Sequence, residues 1–108
     1  MNNGYELVFF TDPESTHQNK PLDSWLLDEA KRLGITTTSL VKSLDELDHV
    51  LRAAADRFLE RIEHPIAVCM SVTAAKSDAL MHRVEQEGLR LFYVKARFQA
   101  GNTGLEGH

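Results

Sequence analysis

The stretch YELVFFT, from Tyr5 to Thr11, restricts what this chain can fold into more than any other. In an extended segment successive side chains alternate between faces, so Tyr5, Leu7 and Phe9 share one side while Val8 and Phe10 share the other. Both sides are apolar, and both need cover. HPIAVCMSVT repeats the demand, with Ile66, Val68, Met70 and Val72 pointing one way and the smaller Ala67, Cys69 and Ser71 the other. A further strand, LRLFYVKARF, closes the pattern.

The segments between these strands change period. In PLDSWLLDEAKRLG, Pro21 suits a first helical turn, Leu22, Trp25, Leu26, Ala30 and Leu33 form one stripe, and Gly34 supplies the left-handed stop. DPESTHQNK ahead of it reads as a polar loop, and the β-branched ITTTSLVK behind it as a strand. Ser43 and Glu46 have the spacing of a capping box, which starts a helix carrying Leu44, Leu47, Leu51, Ala54, Phe58 and Ile62 at steps of three and four. Thr73 caps AAKSDALMHRVEQE, whose Leu80, Met81 and Val84 turn inward before Gly88 ends it.

The order is strand, helix, strand, inserted helix, strand, helix, strand. It predicts an α+β, ferredoxin-like βαβ-α-βαβ domain with a four-stranded antiparallel sheet and an extra helix between its second and third strands. One domain over residues 1–101 is expected, with a flexible tail at 102–108 whose Glu106, Gly107 and His108 look like a cloning scar. Helices cover one face of such a sheet. For the second apolar face the expected cover is the sheet of a symmetric partner, and hence an oligomer.

The 108 residues carry a net charge of -4, and no basic run supplies the concentrated positive surface that phosphate neutralisation needs, so a nucleic-acid partner is not expected. At 43% hydrophobic and 26% charged the composition is that of an ordinary globular domain, without a membrane-spanning stretch. A single Cys69 and no secretory pattern point to the cytoplasm.

Catalytic residues are not expected. Cys69 stands mid-strand among apolar residues, and Asp45, Glu46 and Asp48 cluster at a helix start, where they favour the dipole. No two of His17, His49, His64 and His82 have metal-ligand spacing within one element, so no metal is expected either.

ELVFFT, KPLDSWLLDEAKRLGIT, HPIAVCMSVT and EQEGLRLFYVKARFQAG together resemble the bacterial domain-of-unknown-function family 190, a PII-like group, over roughly Glu6 to Gly101. The resemblance implies a trimer of ferredoxin-like subunits that takes adenine nucleotides in clefts between neighbours and signals to a partner protein through the segment after the second strand, here 43–62. It implies an effector site with Lys95 and Arg97, which fall on one face of the last strand, and with Lys42, His17 and Lys20; the hydroxyls of Thr36 and Thr38 are further candidates by residue type. Two features depart from the PII pattern. Ser43, Leu44 and Asp45 replace the glycines after GITTTSLVK, and only Glu87 and Gly88 stand where PII proteins have a Gly-Asp-Gly-Lys phosphate turn. Backbone N–H groups converge on an anion most readily where glycines let them approach.

Each candidate also has a structural reading. Lys95 and Arg97 could instead discourage edge pairing, the threonines could simply be good strand residues, and His17 an ordinary surface-loop histidine. Two functions are favoured: a PII-like regulator with a small anionic effector, or an interaction protein of the same fold that has lost nucleotide binding; an enzyme on the same fold is a third reading that no residue promotes.

Overall fold

The structure is a computed structural model that describes residues 2–58 and 64–100. Its elements run β1 (Asn2–Thr11), β2 (Thr16–His17), β3 (Lys20–Pro21), α1 (Leu22–Arg32), β4 (Thr38–Val41), a 3-10 turn at Leu44–Glu46, α2 (His49–Phe58), β5 (Ile66–Val72), α3 (Ala74–Gln86) and β6 (Phe92–Ala100). The main sheet has the order β4-β5-β1-β6 and is antiparallel throughout. The chain thus has the four-stranded ferredoxin-like arrangement expected from its periods, with β1 and β5 in the middle.

The two faces of β1 and β5 separate as their alternation requires. On one side Leu7, Phe9, Val68, Met70 and Val72 pack with Leu22, Trp25, Leu26 and Ala30 of α1 and with Leu80 and Val84 of α3. Both helices end on a left-handed glycine. Gly34 has φ +79° and Gly88 φ +70°. The next residue of each turns back to the helix, Ile35 N–H donating to the Ala30 carbonyl at 2.9 Å and Leu89 N–H to the Val84 carbonyl at 3.3 Å. Thr73 caps α3 as expected, its hydroxyl oxygen accepting from Lys76 N–H at 3.3 Å.

The second face is covered within the same chain. Val8, Phe10, Ala67 and Cys69 pack against Leu51 and Ala55 of α2, with Val41, Leu47, Phe92 and Val94 at the margin. This corrects the expectation that a partner's sheet covers that face. The small Ala67 and Cys69 leave room for a helix to lie close, and the apolar stripe of α2 needs a surface of just this kind.

Three local readings change as well. The helix begins at His49 instead of Leu44, because the cap is Asp48, whose Oδ1 accepts from Leu51 N–H at 3.0 Å. Ser43 instead offers its carbonyl to Glu46 N–H inside the 3-10 turn. The buried stripe runs through Leu51 and Ala55, four apart, and Ala54 is only partly buried. The side chain of Phe58 and all of Ile62 lie outside the described residues. Finally, DPESTHQNK is not all loop. It holds the hairpin β2–β3, whose two turn residues Gln18 and Asn19 both have positive φ, 53° and 65°, the geometry of a tight type I′ turn.

Candidate functional site

An edge strand with cations on one face is where this fold can meet an anion. Leu7 lies opposite Lys95 and Tyr5 opposite Arg97, so Tyr93, Lys95 and Arg97 all point to the helix side of the sheet from its outer strand β6. Lys95 Nζ sits 4.3 Å above the Tyr5 ring and 4.0 Å from Asp78 Oδ1 of α3, which places its charge at the rim of the helix layer. Arg97 is exposed.

Next to this row, the C-terminal half of α3 and the turn into β6 enclose an open hollow of about 420 Å³. Phe9 and Tyr93 form part of its wall, their ring centroids 6.2 Å apart, and Met81, Val84, Leu89 and Leu91 add to its apolar lining. Arg90 and Glu85 stand on its lining as the charged groups. Tyr93 is 42% exposed, unusual for an aromatic residue beside a core. An apolar hollow of this volume with a few cations beside it suits a flat ring that carries an anionic group. Arg90 was not anticipated from the sequence. The alternation of Leu89, Arg90 and Leu91 signals an edge, but only the packing of α3 shows that it faces a hollow.

His17 and Lys20 lie elsewhere, on the small hairpin. His17 Nε2 donates to Glu87 Oε1 at 3.0 Å, and Gln18 Nε2 donates to the same oxygen at 2.6 Å. Arg83 Nη1 holds the other oxygen at 3.0 Å. The hydrogen bond from His17, and then that from Arg83, keeps the Glu87 carboxyl below the usual glutamate value. Arg83 also reaches buried Glu29 at 3.5 Å and lies over Trp25, whose ring His17 meets edge-on at 4.9 Å. Lys20 pairs with Asp28 of α1 at 2.6 Å, which lowers that carboxyl's pKa through the hydrogen bond and the lysine charge.

Thr36, Thr38 and Lys42 follow the opposite edge of the sheet, before, within and just after β4. Thr37, between the first two, has its hydroxyl committed to the Ser71 carbonyl at 2.8 Å. Three strand spacings, about 14 Å, separate β4 from β6. One copy of the chain therefore does not bring the two sets of candidate residues to a single small ligand. Cys69 is 8% exposed beneath α2, and burial, with the nearby Glu6 charge adding to it, raises its thiol pKa. Among the described residues no three metal-ligating side chains gather. No described helix is long and apolar enough to cross a membrane.

No protein-family model and no curated protein matches the chain. Solved structures do. Two structures of CPII, a nitrogen regulatory PII-like protein from Thiomonas intermedia bound to ADP, AMP and bicarbonate, align with TM-scores of 0.61 at 12% and 13% identity; 94% of this chain is covered, against 93% and 96% of theirs. A PII-like signalling protein of Thermus thermophilus aligns with a TM-score of 0.57 at 12% identity, over 89% of this chain and 86% of its own. At such identity the likeness is one of fold. The chain has the PII-like form of the ferredoxin-like architecture, and the narrower resemblance to family 190 gains no family-model match.

Proposed function

We propose that the chain is a regulatory protein of PII type that binds a small anionic effector, with an adenine nucleotide as the first candidate, in clefts between the subunits of a homotrimer. The observation that carries this reading is the row of Tyr93, Lys95 and Arg97 along an open sheet edge, with the hollow and Arg90 beside it. The ring would lie in the hollow against Tyr93, and the cations would meet the phosphates.

The second set of candidates, Thr36, Thr38 and Lys42, belongs to the opposite edge, β4. In a cyclic assembly one copy's β4 edge comes beside the next copy's β6 edge, and a ring of three closes the arrangement. Such a ring would use edges instead of the face that α2 already occupies. CPII holds ADP and AMP in the same fold, which favours the choice of nucleotide. The outer side of α2, where Val50 is 72% exposed, would face a partner protein within the 43–62 segment. The reading assigns no catalysis.

Calorimetric titration with ATP, ADP, AMP and cyclic AMP tests it, beside sedimentation to establish the trimer. Binding should appear for at least one of the four, and Arg97→Ala should weaken it about tenfold or more, since a hydrogen-bonded charge pair is removed. Silence for all four at millimolar concentration removes the nucleotide.

One observation favours the second reading, an interaction protein of the same fold without a nucleotide. The segment that would be a flexible sensor in a PII protein is packed here as α2, with Leu51 8% and Ala55 1% exposed. If that is its role, α2 stays ordered with or without nucleotides, and hydrogen exchange across 49–58 will not change on adding them.

A further inference from the structure

We propose that Glu85 and Arg90 read the edge of the ring that enters the hollow, and that together they select a 6-aminopurine. The pair presupposes the effector cleft proposed above and gives that cleft its choice of base. Both side chains stand on the hollow, Glu85 from the last turn of α3 and Arg90 from the turn into β6. Neither has a side-chain partner among the described residues, although their charges are opposite. Arg83 and Glu87, the charged neighbours on either side of Glu85, are already joined to each other at 3.0 Å. A carboxylate in the last turn of a helix is opposed by the partial negative charge there, so neither the helix nor an ion pair accounts for Glu85.

A carboxylate only accepts hydrogen bonds, and a guanidinium only donates them. A ring that satisfies both must present N–H groups to Glu85 and a lone pair to Arg90. Adenine carries the two side by side on one edge, the amino group as donor and ring nitrogen N7 as acceptor. Guanine has two acceptors on that edge, and its carbonyl oxygen would stand against the Glu85 carboxylate. Its own N–H groups lie on the far side of that oxygen.

The spacing along the helix layer suits this orientation. Lys95 Nζ is 4.0 Å from Asp78 Oδ1, and Asp78 and Glu85 stand two turns apart on α3, about 10 Å. That separation matches the length of a nucleoside. In adenine the amino group lies across the ring from the bond to the sugar, so a nucleotide whose sugar leads toward Lys95 and Arg97 carries its amino group toward Glu85. The phosphates then fall to the cations of β6, and Arg90 is left for the ring. Tyr93, exposed between the two ends, offers the flat surface. A seated ring displaces water from both charged side chains, which strengthens hydrogen bonds that open solvent weakens.

Titration of the full chain with ATP, purine riboside triphosphate, 7-deaza-ATP and GTP tests the pair. The second lacks the amino group, and the third has a C–H in place of N7. ATP should bind about tenfold more tightly than each of the others, the loss expected when a charged group is left without its partner. Glu85→Ala should shrink the ratio of ATP to purine riboside triphosphate to about twofold or less, and Glu85→Gln, whose amide oxygen still accepts, should keep part of it. Arg90→Ala should do the same to the ratio of ATP to 7-deaza-ATP. Each ratio compares two triphosphates on one variant, so changes in general attraction to phosphate cancel. Both residues are exposed, and the substitutions spare the core. ATP binding without these ratios, ratios that survive the substitutions, or GTP at or above the affinity of ATP overturns the pair and leaves the regulatory reading standing. Adenosine, followed by NMR at the backbone amides of Leu89 and Tyr93, separates the two the other way. Shifts that Glu85→Ala removes support the pair even where all four triphosphates are silent. Silence of the triphosphates and adenosine alike overturns both.

Discussion

The two faces of the sheet are built to different standards. The helix face is filled by two helices, each ended by a glycine turn and carrying large side chains such as Trp25 and Leu26, both almost fully buried. The other face holds small residues at the centre of β5, Ala67 and Cys69, under one ten-residue helix that buries Leu51 and Ala55. Both faces are apolar, so hydrophobicity alone does not separate them. Side-chain volume does. The difference lies in β5: Val68, Met70 and Val72 need broad cover and gain much from it, whereas Ala67 and Cys69, beside Val8 and Phe10 of β1, accept one closely laid helix and gain less.

The sharpest way to break this contrast is a pair of truncations. Leu26→Ala on the helix face should cost about 3 to 4 kcal/mol, and Leu51→Ala on the other about 2, read as midpoint shifts in urea unfolding. Equal losses would show that α2 is as much a part of the core as α1. Gly34→Ala comes next, at about 1 to 2 kcal/mol, because φ +79° is unfavourable for any residue with a Cβ, and because that Cβ would meet Lys76 Nζ at 3.3 Å. Gly88→Ala has the same backbone problem with nothing near its Cβ, and should fall at the lower end of that range. The smallest effect is kinetic. Cys69 should react slowly with a thiol reagent near neutral pH, since burial both shields the sulfur and raises its pKa, and Leu51→Ala should speed that reaction before any global unfolding is seen. Fast alkylation of the unaltered protein would mean that α2 leaves the sheet often.

Much of this architecture could be read from residue periods. The alternation in β1 and β5, the stripe of α1, the Thr73 cap and the stops at Gly34 and Gly88 are local signals, and the structure keeps them all. The failures were of two kinds. Competing local signals misplaced the start of α2, because Ser43 and Asp48 are both good caps and it is Asp48 Oδ1 that accepts from Leu51 N–H. A period also says that a stripe must be buried without saying where, so the docking of α2 on its own sheet lay beyond what spacing could give. For the candidate site, the placing of Lys95 and Arg97 on one face followed from their separation by two. The hollow with Arg90, and the joining of His17 to Glu87 across 70 positions, depend on how distant segments pack.

The register of the central strand carries a consequence for folding. β1 is paired along one side with β6, so that Asn3 meets Gln99 and Phe10 meets Phe92. A ribosome delivers these partners far apart in time, and until the later one emerges the earlier has an open flank of unsatisfied amides and carbonyls. The nascent chain is therefore most exposed to sticking to its own copies before β6 emerges, and shortened forms that stop before Phe92 should collect in the insoluble fraction.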